Sequence, residues 1–136
     1  MFVCVGAGSE KPMNTVDPKL IALQFNECIN RQDTHGLVRL MTDDHTFIDR
    51  KGEAARGRDV MTRGWTEFFK SFPEYRNTFH RVQSKGNRVV LLGYATWKSG
   101  GGPDRAIWTA RIEDDRVAEW RIDEDTSENR KRLGLT

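Results

Sequence analysis

The apolar residues of this chain follow two different periods, and the change of period marks out the elements. Ile21, Phe25, Cys28 and Ile29 recur at helical spacing, and Gln32 closes a stripe of about four turns. Asp17 is a good N-cap, and Pro18 at the first helical position loses only an N–H that would have no partner anyway. Asp33 or Thr34 can cap a second, short helix carrying Leu37, Leu40 and Met41. The period then drops to two over His45-Thr46-Phe47-Ile48-Asp49, bounded by Asp43-Asp44 and Lys51-Gly52, which predicts a strand. Helical spacing returns after Gly57. Met61, Trp65, Phe68, Phe69 and Phe72 fall at i, i+4, i+7, i+8 and i+11, and Pro73 stops the run. Four large aromatics on one stripe make this helix a principal cover for the sheet.

The second half reads as strand and turn. Arg76 to Ser84 leads through Lys85-Gly86-Asn87 into a long strand from Arg88 to Trp97. Ser99 to Asp104, with its glycine run, is a flexible hairpin tip. Arg105 to Glu113, a turn at Asp114-Asp115, and Val117 to Glu124 complete an antiparallel meander. Three helices followed by such a meander predict an α+β fold with the helices packed on one face. The glycine run lacks a following Gly-Lys-Ser/Thr and a helix, so it is not a phosphate loop.

Composition narrows the classes. A chain of 136 residues fits one domain, read as a leader over 1–16, the domain over 17–125 and a solvated tail over 126–136 that carries Arg130-Lys131-Arg132. With 37% hydrophobic and 31% charged residues it is a soluble, globular composition. The net charge of +2 arises from 22 basic and 20 acidic residues, with no one-signed patch of the kind nucleic acid requires. No apolar run approaches the roughly 20 residues that span a bilayer, so no membrane partner is expected. The opening segment lacks the basic start of a secretory signal, and a cytoplasmic location follows by default. Cys4 and Cys28 do not make a disulfide framework, and Cys28 reads as a structural thiol. His35, His45 and His80 are scattered, without zinc spacing, and no cofactor is expected.

The order of motifs from Asp17 to Asp125 resembles SnoaL-like and ketosteroid isomerase-like members of the nuclear transport factor 2-like superfamily. The resemblance rests on Asn30-Arg31-Gln32-Asp33 between two helices, Leu40-Met41-Thr42-Asp43-Asp44 before the first strand, and Phe47-Ile48-Asp49 with Gly52. Arg56-Gly57-Arg58-Asp59, Phe72-Pro73-Glu74-Tyr75 and Val117-Ala118-Glu119-Trp120-Arg121 follow in order. It implies a cone-shaped fold with one deep apolar pocket, and a homodimer made across the outer sheet face.

Asp49 matches the general-base aspartate of ketosteroid isomerase. Strand alternation places it with His45 and Phe47 on one side, where an aromatic wall would raise its pKa and suit it to proton shuttling. The alternative is an Asp that hydrogen-bonds its own Lys-Gly turn. The isomerase's two oxyanion-hole positions hold Phe25 and Trp108 here, so only one neutral donor remains. Limonene epoxide hydrolase works with an Asp-Arg-Asp arrangement, and Ile122 replaces one of those aspartates. Alternation also groups Ala95 with Trp97, Trp108 with Ala110, and Trp120 with Ile122 and Glu124. With Trp65 they would line a cavity for a flat apolar or aromatic molecule, or simply fill the core. His45 stands about 13 Å from Asp49 at about 3.3 Å per residue, too far to share a proton but able to touch a ligand's far end. Asp125 follows the last strand with its side undetermined. Three functions stay open: a cofactor-independent isomerase, cyclase or lyase using Asp49 as general acid/base, a non-catalytic binding protein, and a dimeric adaptor.

Overall fold

The computed structural model describes residues 14–98 and 102–135. Ten elements alternate as α1 (Pro18–Arg31), α2 (Thr34–Arg39), β1 (Met41–Ile48), β2 (Ala54–Arg56), α3 (Arg58–Ser71), β3 (Arg76–Lys85), β4 (Arg88–Thr96), β5 (Asp104–Glu113), β6 (Arg116–Glu124) and α4 (Ser127–Arg132). The strands form one six-stranded sheet in the order β2-β1-β6-β5-β4-β3. Neighbours are antiparallel except β1 and β6, which run parallel. The fold is α+β, a curved open sheet with helices, as the pattern of periods predicts.

Local chemistry explains the helix boundaries. Asp17 Oδ1 accepts from Lys19 N at 3.0 Å, and Asp33 Oδ1 accepts from Gly36 N at 2.9 Å, each supplying an N-cap. Gln32 ends α1 in the left-handed region at φ 58°, and its side-chain amide donates to Phe72 O and Pro73 O, tying the ends of α1 and α3 together. Ile21, Phe25 and Ile29 from α1, and Met61, Trp65 and Phe69 from α3, are buried against Val89, Leu91, Trp108, Ile112, Val117 and Trp120 on the inner sheet face. Phe72, assigned by spacing to the same stripe, instead caps α3 and stays 39% exposed.

β3 and β4 approach each other unusually closely. A Cβ on Gly93 would lie 1.9 Å from Thr78 O and 2.9 Å from Phe79 Cα, beside a register shift between Phe79 and Arg81. Only a residue without a side chain lets the strands close there. At the β5–β6 turn, Asp114 and Asp115 take positive φ of 52° and 58°. Asn14 Nδ2 donates to Ile112 O at 3.0 Å and Asp115 N to Asn14 Oδ1 at 3.0 Å, while Asp115 accepts from Thr15 N and Val16 N. The chain before α1 is thus fastened to this turn from Asn14 onward. The rest of the expected leader and residues 99–101 of the hairpin tip lie outside the described residues.

Three further features differ from the sequence reading. β1 begins at Met41 rather than His45, because a register shift between Met41 and Thr46 lets the exposed Asp43 and Asp44 stay within it. Ala54–Arg56 forms a short edge strand on β1, too brief to show a period. The tail is not a solvated end, and it adds a fourth helix where three were expected. Thr126 caps α4 by accepting from Asn129 N at 3.1 Å, and Leu135 is buried on Val90, Leu92 and Ile107 of the outer sheet face. Arg130 pairs with Asp125 at 2.6 Å and Arg132 with Asp123 at 3.3 Å.

Candidate functional site

A cavity of about 370 Å³ opens between α3 and the inner face of the sheet. Its walls come from five regions of the chain. α3 gives Val60, Met61, Gly64, Trp65 and Phe68; β1, its following turn and β2 give Phe47, Arg50 and Ala55. Tyr75 and Asn77 enter from the start of β3, Ala95 and Trp97 from the end of β4, and Asp104, Trp108, Trp120 and Ile122 from β5 and β6. Antiparallel register explains the grouping, since Asn77 pairs with Ala95 and Trp108 with Ile122, and paired residues share a face.

Of the residues singled out from sequence, Phe47, Trp65, Trp97, Trp108, Trp120 and Ile122 line this cavity. Phe25 and His45 do not. Phe25 is fully buried behind the wall, with its ring 4.8 Å from Trp120 and 5.6 Å from His45. His45 is fully buried as well, and its Nδ1 lies 2.7 Å from Val117 O, a bond that requires the proton on Nδ1. Burial pushes the imidazole pKa below its ordinary value despite that bond. Glu124 is exposed and accepts from Arg50 Nη1 at 2.9 Å.

Asp49 is placed away from the cavity wall. Its Oδ1 accepts from Lys51 N and Glu53 N, both at 2.9 Å, so the carboxylate holds the turn between β1 and β2. The strand ends at Ile48, and alternation no longer governs the next side chain. Its neighbour Arg50 reaches the cavity instead. Arg50 Nη2 donates to Asp104 Oδ2 at 2.7 Å, so among the described residues the wall contains one carboxylate and one guanidinium, joined.

Neutral polar groups complete the lining. Trp65 Nε1 and Trp108 Nε1 are buried without a partner among the described residues. Tyr75 is half-buried, and burial pushes its phenol up to about 12 against the opposing pull of Arg50 and the Asn77 side chain, so it stays protonated at neutral pH. Asn77 Nδ2 donates to Asn26 Oδ1 at 3.1 Å, and the Tyr75 phenol lies against the same amide, whose Oδ1 is enclosed. Arg50, Asn77 and Asp104 carry no sequence signal of their own, and Tyr75 enters the sequence reading only as the end of the Phe72-Pro73-Glu74-Tyr75 motif. Arg50 and Asp104 lie in loop-like stretches 54 residues apart, and only the sheet topology brings them together. Asp125 turns from the cavity to Arg130, which holds its carboxyl below the usual range. His35 and His80 are also outside the lining.

Among the described residues, no group of three or more His, Cys, Asp or Glu side chains could hold a metal, and no helix is long and apolar enough to cross a membrane. The model of the SnoaL-like domain matches residues 22–120, well over half of the chain.

The chain belongs to the SnoaL-like domain family.

Solved structures agree on the fold. This SnoaL-like domain superposes with TM-score 0.71 on an uncharacterised cystatin-fold protein from Novosphingobium aromaticivorans, at 19% identity, covering 79% of this chain and 97% of that one. A candidate polyketide cyclase from Sinorhizobium meliloti gives 0.68 at 19% identity, covering 76% and 93% of the two chains. A candidate ketosteroid isomerase from Kribbella flavida gives 0.63 at 17% identity, covering 81% and 78%. No curated protein matches the sequence significantly.

Proposed function

We propose that the cavity binds a flat, mainly apolar small molecule by an oxygen-bearing end, and that the protein acts on it as a cofactor-independent isomerase or cyclase. The observation that carries this reading is a cavity walled by Phe47 and the four tryptophans, to which Arg50, Tyr75 and Asp104 bring polar groups. A ligand carbonyl meets its donors at the Tyr75 phenol and the Arg50 guanidinium. Donors set before the reaction favour an oxygen that gains negative charge, and an enolate does.

Asp104 is the carboxylate of the wall and takes the part of base in this reading, in place of Asp49. It removes a proton from the carbon next to the carbonyl, and the resulting carboxylic acid returns that proton to another carbon of the enolate. No cofactor enters such a transfer. The cyclase and isomerase candidates among the similar structures agree with the reaction class, although identities of 19% and 17% speak only for the fold.

The test needs no knowledge of the natural substrate. Exchange of the α-hydrogens of 2-tetralone with D₂O, followed by NMR, should be accelerated by the wild type and by Asp49→Ala. Asp104→Asn should still bind the ketone but lose the exchange. Acceleration that survives Asp104→Asn overturns the assignment. A second reading, binding without chemistry, is favoured by the 2.7 Å bond that occupies Asp104 with Arg50. It predicts saturable binding of the ketone with no exchange in any variant.

A further inference from the structure

A glycine in the body of a helix calls for a physical reason. It leaves the unfolded backbone freer than any other residue does, and only proline forms helix less readily. Two reasons within the fold can account for one: a left-handed φ, or a neighbour so close that no side chain fits. Among the described residues every glycine but one has such a reason, either a positive φ or another atom 2.4 Å or less from where its Cβ would stand. The exception is Gly64. It lies in the middle of α3 with an ordinary helical backbone, and a Cβ added to it would meet nothing within 4 Å.

Its place in the helix supplies the missing reason. Val60 and Phe68 stand one turn before and one turn after Gly64 on the same face of α3, and all three line the cavity. A side chain at position 64 would fall in line with theirs, over the opening of the cavity. Gly64 and Val60 are exposed, whereas the adjacent Trp65 is buried, its ring T-shaped against Phe47 at 6.1 Å and against Phe68 at 5.7 Å. The glycine therefore belongs to the mouth and not to the packed aromatic wall. At that level α3 presents bare backbone. An alanine or leucine there would strengthen the helix and cover apolar surface of Val60 and Phe68, and the chain forgoes both gains.

We infer that Gly64 is a specificity-determining residue: the side chain it lacks keeps the mouth of the cavity wide, so that a ligand of two or three fused rings lies against the backbone of α3. The inference rests on the binding reading above and narrows it, since the preferred class becomes broad fused-ring ketones rather than single-ring ones. Adding volume where a wide ligand sits forces side chains off their rotamers or shifts backbone, so a leucine at this position should separate wide ligands from narrow ones.

Calorimetric titration of the full chain with acetophenone, 2-acetylnaphthalene and 2-acetylphenanthrene tests this. The carbonyl group is constant and the ring system widens by one ring at a time. Wild-type affinity should rise with the number of rings. Gly64→Leu should lose roughly tenfold or more on 2-acetylphenanthrene while staying within about twofold on acetophenone. Gly64→Ala should raise Tm by about 2–4 °C, because the fold does not need glycine there, and should still weaken 2-acetylphenanthrene. Arg63→Ala, one residue away and outside the lining, should leave the panel unchanged. A leucine variant that binds all three ketones as the wild type does, or loses all three alike, overturns the role of Gly64. A wild type that prefers acetophenone overturns it as well, and so does a fall in Tm for Gly64→Ala, which would mean that the glycine serves the fold. A wild type that binds none of the three overturns the cavity reading and this inference with it.

Discussion

Arg50 Nη2 lies 2.7 Å from Asp104 Oδ2, so the turn after β1 is bonded to the first residue of β5 across one wall of the cavity. Arg50 also donates to Arg105 O at 3.3 Å and to Glu124 Oε2 at 2.9 Å, which leaves the guanidinium little freedom. The Arg50 and Asp104 side chains are 27% and 45% exposed, and ion pairs so open to water contribute at most about 1 kcal/mol to stability. Their effect is on direction. Arg50→Met should therefore change stability by no more than about 1 kcal/mol. Releasing Asp104 should also slow α-hydrogen exchange by about tenfold or more, since positioning is what the pair supplies. Denaturant melts and the NMR exchange rate separate the two effects.

His45 makes stability depend on pH. The ring is fully buried, its Nδ1–H is spent on Val117 O, and Nε2 has no partner among the described residues. Its folded pKa is lowered by burial from the ordinary 6.5, so just below that pH the unfolded chain binds the proton and the native state does not. Stability should be constant above about pH 7 and fall as pH drops below 6.5, by at most about 1.4 kcal/mol per unit. Urea denaturation between pH 5 and 8, compared with His45→Gln, reads this as a slope present only in the wild type.

Leu135→Ala tests the tail. The side chain is 3% exposed on Val90, Leu92 and Ile107, and Gln83 Nε2 holds the preceding Gly134 O at 3.0 Å. Loss of about 2–3 kcal/mol is expected, at the low end for a buried leucine because the site lies on the outer sheet face and its surroundings can settle into the space. A change under about 0.5 kcal/mol would return the tail to solvent.

Gly93→Ala should be among the costliest single substitutions in the molecule. The added carbon meets backbone, Thr78 O at 1.9 Å, and backbone cannot rotate aside. Loss of about 2–3 kcal/mol is expected from thermal or denaturant melts, with the strands forced apart.

The helices and the meander were legible because each has a length over which period can be counted. α1 and α3 announce themselves through Ile21, Phe25 and Ile29 and through Met61, Trp65 and Phe69, and their boundaries through Asp17, Pro18 and Pro73. The tryptophans were legible as a wall because alternation holds along β5 and β6, where Trp108 and Trp120 both face inward. What could not be read lies where period stops. Asp49 and Arg50 are adjacent in a turn, and backbone hydrogen bonds, not alternation, decide which enters the cavity. Asn77 depends on Asn26 and Asn30, contacts 51 and 47 residues apart that no local pattern encodes. α4 is six residues long and its anchor, Leu135, follows it by three, too little for a stripe.

The central claim is that the cavity takes a ligand, and the protein carries its own probe. All four tryptophans of the chain, Trp65, Trp97, Trp108 and Trp120, line that cavity. Tryptophan emission titrated with 2-tetralone should be quenched along a saturating curve in the wild type. Ala55→Phe, which puts a ring into the cavity from the edge strand, should abolish the saturation without adding an emitter. Quenching that rises linearly with ketone, identical in both proteins, would mean collision from outside and would contradict the claim.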